Sequence, residues 1–183
     1  MVAHHLIFAQ WSDEWRQCVV ILLMGVSGAG KTTVGHLLAS QLEWEFVDGD
    51  DFHPASNVEK MRKGVPLTDN DRRPWLDTLR TLIASRIAAG NNIVLACSAL
   101  KSAYREKLQI SPEVKLVYLR VDQAALHQRL RARHGHFMKE KMLESQMEAL
   151  EEPTDGVMVD GGQSPVEVVA QITANLWPTA LNR

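Results

Sequence analysis

Short apolar runs alternate along the chain with longer segments in which apolar residues recur at helical spacing. The apolar runs fall near residues 19–24, 45–48, 92–97, 114–120 and 156–160. Runs of this length predict strands that are buried on both faces. Strands alternating with helices are typical of a parallel sheet covered by helices on both sides. The pattern therefore predicts an α/β fold.

The segments between the strands predict helices with one apolar face. Residues 71–89 carry the clearest example, with Pro74 fitting a first-turn position. The sequence SPVE at 164–167 has the residues of a capping box and predicts the start of the last helix. Further helices are predicted at 101–109, 122–132 and 137–150. In the last of these, Gln146 shares a face with several methionines, which we interpret as ordinary packing.

The first strand is followed directly by GVSGAGKT at 25–32. This is the Walker A pattern, in which glycines let backbone N–H groups turn toward phosphate oxygens. The Lys is expected to reach the β- and γ-phosphates, and the Thr hydroxyl is expected to bind Mg²⁺. The pattern predicts a nucleoside triphosphate site formed by Gly25, Val26, Ser27, Gly28, Ala29, Gly30, Lys31, Thr32 and Thr33.

Composition narrows the class of protein. The 183 residues carry a formal net charge of −2, so no overall basic field favours nucleic acid as a partner. The longest apolar stretch is far shorter than the roughly 20 residues that span a bilayer, which predicts no membrane association. Cys18 and Cys97 lack metal-ligand spacing and are expected to be reduced thiols of a cytoplasmic protein.

The chain shows no repeats or linker-like tracts, so we expect a single domain at 19–183 behind an N-terminal extension at 1–18. Two adjacent His and two Trp in the extension leave a metal or contact site as the alternative. Two segments look inserted between core elements. Residues 50–72 are rich in charge and turn residues, and residues 131–140 are strongly basic. We expect the first to bind the acceptor and the second to act as a lid.

Two carboxylates end the second predicted strand, in FVDGD. Asp48 and Asp50 alternate around Gly49 and can therefore point the same way. The third strand ends in Cys97 and Ser98 and lacks the usual Walker B carboxylate, so this pair is the natural replacement. Asp48 is expected to orient a Mg²⁺-bound water, and Asp50 to orient or deprotonate the attacking hydroxyl. A solvated Asp-Gly turn is the alternative interpretation.

The segment DGDDFHPASNVEKMRKGVPLTDNDRRPWL at 48–76 resembles the acceptor segment of bacterial-type gluconokinases, P-loop kinases that phosphorylate D-gluconate. The resemblance continues in CSALKSAYR at 97–105 and in HGHFMKEKMLESQMEALEEP at 134–153. It implies a three-layer P-loop kinase fold with a five-stranded parallel sheet in the order 2-3-1-4-5. It also implies ATP and Mg²⁺ as cofactors, 6-phosphogluconate as product, and a homodimer.

The acceptor is then a carboxylate with a row of hydroxyls, and a planar Arg fork suits its acid end. Arg105, one helical turn beyond Lys101, is our first candidate for this contact, and Arg72 is the second. Both are also explained as solvated helix residues. His53 is expected to hydrogen-bond a sugar hydroxyl, although capping of the turn before Pro54 explains it nearly as well.

In the basic insertion, Arg129 and Arg133 lie four residues apart on a predicted helix. They are expected to approach the transferring phosphate together when the lid closes, with Arg133 catalytic and Arg129 on the nucleotide. A solvated basic face is the alternative.

Two other functions compete with gluconate phosphorylation. A kinase of another small acceptor, such as shikimate or a nucleoside monophosphate, shares the same loop, although the glycine-rich third-strand signature of shikimate kinases is not found. A GTPase-type switch requires an N/T-K-x-D motif, which the sequence lacks.

Overall fold

The structure is a computed structural model that describes residues 18–131 and 136–178. The strands are β1 (Val20–Met24), β2 (Glu45–Asp48), β3 (Ile93–Ala96), β4 (Val114–Arg120) and β5 (Val157–Asp160). The helices are α1 (Lys31–Leu42), α2 (Ala55–Arg62), α3 (Asp69–Ala88), α4 (Ser102–Leu108), α5 (Gln123–Arg131), α6 (His136–Ala149) and α7 (Pro165–Leu176).

The five strands form one parallel sheet in the order β2-β3-β1-β4-β5, which confirms the predicted fold class and strand order. β1 lies in the centre, with β3 on one side and β4 on the other. The chain therefore leaves β1 at the point where the strand order reverses, which is where open α/β sheets bind ligands. The loop at 25–30 lies at this point.

Alternate side chains of β1 supply the two halves of the core. Ile21 and Leu23 pack on the side of α1 and α7, whereas Leu22 and Met24 pack on the side of α3 and α4. All four are fully buried, and burial of each such side chain stabilises the fold by about 1.5–3 kcal/mol. Because both faces of β1 are covered, the sheet holds the loop that follows it in a fixed position.

The prediction for Pro74 was wrong. α3 begins at Asp69, two residues earlier than expected, because Thr68 and Asp71 form a capping box that satisfies its first amides. Pro74 consequently lies inside the helix and not in its first turn. The capping box expected at the start of α7 is confirmed, with Ser164 accepting from the Glu167 amide and Glu167 accepting from the Ser164 amide.

The acceptor segment contains more regular secondary structure than its charged and turn residues predicted. It contains a short 3₁₀ turn at Gly49–Phe52 and the helix α2, neither of which the sequence pattern predicted. The sequence of the predicted lid runs from the end of α5 into α6, and residues 132–135 lie outside the described residues. The predicted N-terminal extension lies outside them too, apart from Cys18.

Within the described part of the chain, no helix combines the length and the apolar character that a bilayer crossing requires.

Candidate active site

The loop at 25–30 adopts backbone conformations that few residues other than glycine accept. Gly28 has φ of 85° and Gly30 has φ of 100°, in the region that L-residues with a Cβ avoid. Gly30 is the N-cap of α1 and has no side chain to bond the first amides of the helix. Those amides, together with the positive end of the helix dipole, form a site for an anion.

Lys31 lies folded against this loop. Its Nζ donates to the carbonyl oxygens of Gly25 at 2.9 Å and Val26 at 3.2 Å. Burial lowers the pKa of the Lys31 ammonium, and the charge of Asp50 opposes that shift. The cationic group of the loop and a carboxylate of the acceptor segment therefore act on each other within one site.

Thr32 and Asp48, the two residues predicted to bind Mg²⁺, meet at the mouth of the loop. The Thr32 hydroxyl donates to Asp48 Oδ2 at 3.2 Å, and Asp48 Oδ1 accepts from the Asp50 amide at 3.1 Å. A hydroxyl beside a carboxylate is the hard oxygen donor set that Mg²⁺ prefers. These two side chains fit the ion at the position where it would meet phosphates on the loop.

Gly49 brings these carboxylates close to the central strands. A Cβ at this position would lie 2.7 Å from the Ala96 carbonyl oxygen, a contact that real Cβ atoms do not make. The Gly49 carbonyl accepts a 2.7 Å hydrogen bond from the indole Nε1 of Trp75. The turn that carries Asp50 is therefore fixed from both β3 and α3.

A cleft lies between the phosphate loop, the acceptor segment and α6. It joins the predicted nucleotide residues to some of the predicted acceptor residues. The polar residues that line it and matter most below are Ser27, Lys31, Asp50, His53, Arg72 and Gln146. The Asp50 side chain is 70% exposed, whereas that of His53 is only 4% exposed.

Arg72 is held in this cleft by a polar cluster on α3 and α4. Its Nη1 lies 3.4 Å from the Tyr104 hydroxyl and 3.8 Å from Asp69 Oδ1. The Tyr104 hydroxyl donates to the same carboxylate, and Lys101 Nζ lies 2.8 Å from both of its oxygens. Asp69 raises the pKa of Lys101 by accepting this bond. Lys101 thus organises the cluster and does not line the cleft.

Arg105, our first candidate for the substrate carboxylate, is placed differently. It is buried, with 5% of its surface exposed, and does not line the cleft. Its Nη1 donates to the carbonyl oxygens of Leu100 at 2.9 Å and Glu151 at 2.8 Å. The guanidinium joins two chain segments, so the geometry favours Arg72 over Arg105 for the acid end of an acceptor.

Arg129 contacts the phosphate loop from its carbonyl side. Its guanidinium donates to the Gly161 carbonyl oxygen at 2.8 Å and, at 3.4 Å, to those of Gly28 and Ala29. It therefore ties the phosphate loop to the loop after β5. Arg133, its predicted partner in catalysis, lies outside the described residues.

Gln146 is a contact that the sequence interpretation missed. Its Oε1 accepts a 2.6 Å hydrogen bond from the Ser27 amide. The helical stripe that contains Gln146 was interpreted as packing alone, yet Gln146 links α6 to the phosphate loop. A polar residue among methionines on an apolar face was the available signal.

Comparison with known proteins agrees with this geometry. A family model described as an AAA domain matches residues 20–153. The gluconokinase of Gluconobacter oxydans (strain 621H) is 43% identical over 156 residues, covering 83% of this chain and 88% of that protein. The thermoresistant gluconokinase of Escherichia coli (strain K12) is also 43% identical over 156 residues, covering 82% and 89%. A crystal structure of a gluconokinase from Sinorhizobium meliloti 1021 has a TM-score of 0.79 and 40% identity, covering 90% of this chain and 94% of that one.

A phosphate loop at the reversal point of a 2-3-1-4-5 parallel sheet, facing an acceptor cleft, defines a P-loop kinase fold. Relatives that are 40% to 43% identical over most of both chains show which P-loop kinase family this is. The chain belongs to the gluconokinase family.

Proposed function

We propose that this protein transfers the γ-phosphoryl group of ATP to the 6-hydroxyl of D-gluconate and releases 6-phosphogluconate and ADP. The proposal rests on one observation: Lys31 of the phosphate loop lines the same cleft as Asp50 and Arg72 of the acceptor segment. The gluconokinase relatives supply the identity of the acceptor.

The phosphate loop would hold ATP. Its inward amides and the α1 N-terminus suit the α- and β-phosphates, and the Lys31 ammonium suits the β- and γ-phosphates. On nucleotide binding, Lys31 would exchange the carbonyls of Gly25 and Val26 for phosphate oxygens. Thr32 and Asp48 would hold Mg²⁺, directly or through water, and the bound ion would neutralise charge on the phosphates.

Asp50 would orient the 6-hydroxyl of gluconate and take its proton as the oxygen attacks the γ-phosphorus. A new O–P bond forms while the bond to the β-phosphate oxygen breaks, and ADP leaves. Because Asp50 is well exposed before substrate binds, its carboxylate is free to rotate toward the hydroxyl. His53 would hydrogen-bond the same hydroxyl from the neighbouring side.

Arg72 would bind the substrate carboxylate through its planar guanidinium. Asp69 and Tyr104 support the guanidinium from behind. Lys101 and Arg105 would support the acceptor site without contacting the substrate. Lys101 would hold Asp69 in place, and Arg105 would hold the backbone carbonyls to which it donates.

The lid at 131–140 would exclude water, because hydrolysis of ATP is the competing reaction. We assign Arg133 to the charge that develops on the transferring phosphoryl group, and Arg129 to the nucleotide through its hold on the phosphate loop. The assignment of Arg133 rests on the sequence.

An acceptor panel tests the proposed function. Purified protein with Mg-ATP is assayed for ADP release in the presence of gluconate, shikimate, AMP or no acceptor, and the product is identified by ³¹P NMR. We expect rapid release with gluconate alone and a phosphomonoester at carbon 6. ADP release that is no faster with gluconate than with water would refute the proposal. Preferential release with shikimate or AMP would favour the alternative acceptor.

A cytoplasmic location and a homodimer complete the hypothesis, and both rest on the sequence. Light scattering coupled to size-exclusion chromatography measures the molar mass in solution. We expect about twice the mass of one chain, and the mass of one chain would contradict the dimer.

A further inference from the structure

His53 has a defined neighbour on each of three sides in the acceptor cleft. Its ring stacks on the Trp75 indole, with centroids 4.2 Å apart and planes inclined by 16°. Its Nδ1 lies 3.4 Å from Asn57 Nδ2. Its Nε2 lies on the other side of the ring, 3.9 Å from Asp50 Oδ1. The ring therefore lies between a buried amide and the carboxylate proposed to activate the acceptor.

The orientation of the Asn57 amide follows from a second contact. Asn57 is 98% buried, since only 2% of its surface is exposed. Its Nδ2 donates to the Asp71 carbonyl oxygen at 2.8 Å, and a carbonyl oxygen can only accept. The opposite amide orientation would place two acceptors in contact. The NH₂ group must therefore face both Asp71 and His53.

This orientation determines where His53 carries its proton. The amide NH₂ of Asn57 is a donor and never an acceptor, so His53 Nδ1 has to accept from it with a lone pair. In a neutral imidazole the single proton then resides on Nε2. The Nε2–H group points toward the side of the ring that Asp50 occupies.

We propose that Asn57 is a positioning residue that holds His53 as the Nε2–H tautomer, so that His53 donates a hydrogen bond to the acceptor hydroxyl beside Asp50. The inference rests on the proposed function and adds to it a specific role for the histidine. His53 acts as a donor and is not the base.

The distance between the two groups suits one hydroxyl. An oxygen atom can lie about 2.8 Å from both His53 Nε2 and Asp50 Oδ1, because the two atoms are 3.9 Å apart. That oxygen would accept from His53 and donate to Asp50. A carbonyl or carboxylate oxygen can satisfy His53 but has no proton for Asp50. The pair therefore selects an alcohol at the reacting position.

The charges around the ring are consistent with a neutral imidazole. Burial lowers the pKa of His53, the carboxylate of Asp50 opposes that shift, and the Arg72 guanidinium adds to it. Trp75 covers one face of the ring without a charge.

The tautomer is measured directly by ¹⁵N NMR of protein labelled at the imidazole nitrogens. The chain has seven histidines, and the His53 signals are those lost in His53→Gln. We expect a protonated Nε2 and an unprotonated Nδ1 at pH 7.5. A protonated Nδ1 in the wild-type protein would overturn the proposal.

Two variants test the part played by Asn57. In Asn57→Asp, a carboxylate replaces the donor, so we expect the proton of His53 to move to Nδ1 or both nitrogens to be protonated. Asn70→Asp, an exposed position on α3, is the matched control and should leave the His53 signals unchanged. Unchanged signals in a folded Asn57→Asp variant would contradict the proposed role.

Kinetics separate the donor role of His53 from a purely structural one. We expect kcat/KM for gluconate to fall about tenfold in His53→Leu, the loss of one hydrogen bond to the reacting oxygen, with KM for ATP unchanged. His53→Gln retains an N–H donor and should recover part of the loss. Equal losses in both variants would overturn the donor role.

The outcomes also distinguish this inference from the proposed function. Turnover of gluconate by an enzyme whose His53 is protonated on Nδ1 would overturn the inference alone. If no acceptor supports ADP release, the proposed function fails, and the tautomer signal still decides whether Asn57 fixes the ring.

Discussion

The phosphate loop and the acceptor segment lie on opposite sides of one cleft, yet they are built in different ways. The phosphate loop is formed by the main chain, with glycines at φ of 85° and 100° and a single charged side chain, Lys31. The acceptor segment is formed by side chains that meet from distant positions, such as Trp75 on the Gly49 carbonyl and Tyr104 on Asp69.

This difference determines what substitutions do in each region. A backbone site depends on conformation, so it fails when a residue cannot adopt the required φ or when the one ammonium is removed. A side-chain site depends on pairs, and removal of one partner leaves the other polar group unpaired. We therefore expect large, nucleotide-specific effects on the loop side and graded, acceptor-specific effects on the other.

The largest effect is expected from Lys31→Ala. Loss of the only ammonium on the loop should lower kcat by roughly 10³-fold or more, because charge on the transferring phosphoryl group is left without its partner. Thermal unfolding should show an intact fold. Lys63→Ala, an exposed lysine that pairs with Glu59 on α2, is the control. Near-normal turnover in Lys31→Ala would remove the loop from the chemistry.

Asp50→Asn is expected to have the next largest effect. Removal of a group that orients and deprotonates the hydroxyl should lower kcat by roughly 10²-fold, with KM for ATP nearly unchanged. The matched control is Asp51→Asn, because Asp51 is the adjacent exposed carboxylate and does not line the cleft. If the two variants lose activity equally, the effect belongs to the turn and not to Asp50.

Gly30→Ala tests the backbone side of the comparison. A Cβ at Gly30 meets nothing closer than Val34 Cγ2 at 3.9 Å, so any effect must come from its φ of 100°. We expect KM for ATP to rise at least tenfold, roughly 1.4 kcal/mol, as the amides around Gly30 leave their inward orientation. Gly90→Ala is the control, because Gly90 has φ of 69° with nothing within 4 Å. An equal change in KM from both would contradict a local effect.

Arg72→Lys tests the acceptor side at the proposed carboxylate contact. A point charge replaces the planar fork, so KM for gluconate should rise up to about tenfold while KM for ATP is unchanged. Arg73→Lys, the exposed neighbour, should change neither. An increase in KM for gluconate in Arg105→Lys, with none in Arg72→Lys, would restore our first candidate.

The same contrast explains how far the sequence alone predicts this molecule. The strand positions and the Lys31 site follow from local patterns, since the Walker A motif and the apolar runs each span only a few adjacent residues. The strand order came from the resemblance to gluconokinases. We ranked Arg72 below Arg105 because spacing along a helix does not show which guanidinium already donates to backbone carbonyls. In the fold, the Arg105 guanidinium donates to those of Leu100 and Glu151. Asn57 was missed because its contact with the Asp71 carbonyl forms only where α2 meets α3, and the sequence pattern did not predict α2.

The smallest effect is expected in the dependence of stability on pH, and it again belongs to the acceptor side. Burial lowers the pKa of His53 below its ordinary value of 6.5. The unfolded chain therefore binds a proton that the folded protein resists, so the free energy of unfolding should fall as pH drops below 6.5. Asp71 acts in a separate, more acidic window, because its bonds to Lys60 and Thr68 lower its pKa from 3.8 to about 2.

Thermal unfolding of the wild type and His53→Gln between pH 8 and pH 5 measures the histidine contribution. The difference in unfolding temperature between the two proteins should be constant above pH 7 and should shift in favour of His53→Gln as the pH falls. Asp71→Asn should lower the unfolding temperature by a constant amount across this range and change the pH dependence only below about pH 4, where the Asp71 carboxylate of the wild type begins to take up a proton in the unfolded chain. A difference that is independent of pH would mean that His53 is as easily protonated in the fold as in the unfolded chain. In that case, the acceptor side would lack the buried neutral donor that distinguishes it from the charged phosphate loop.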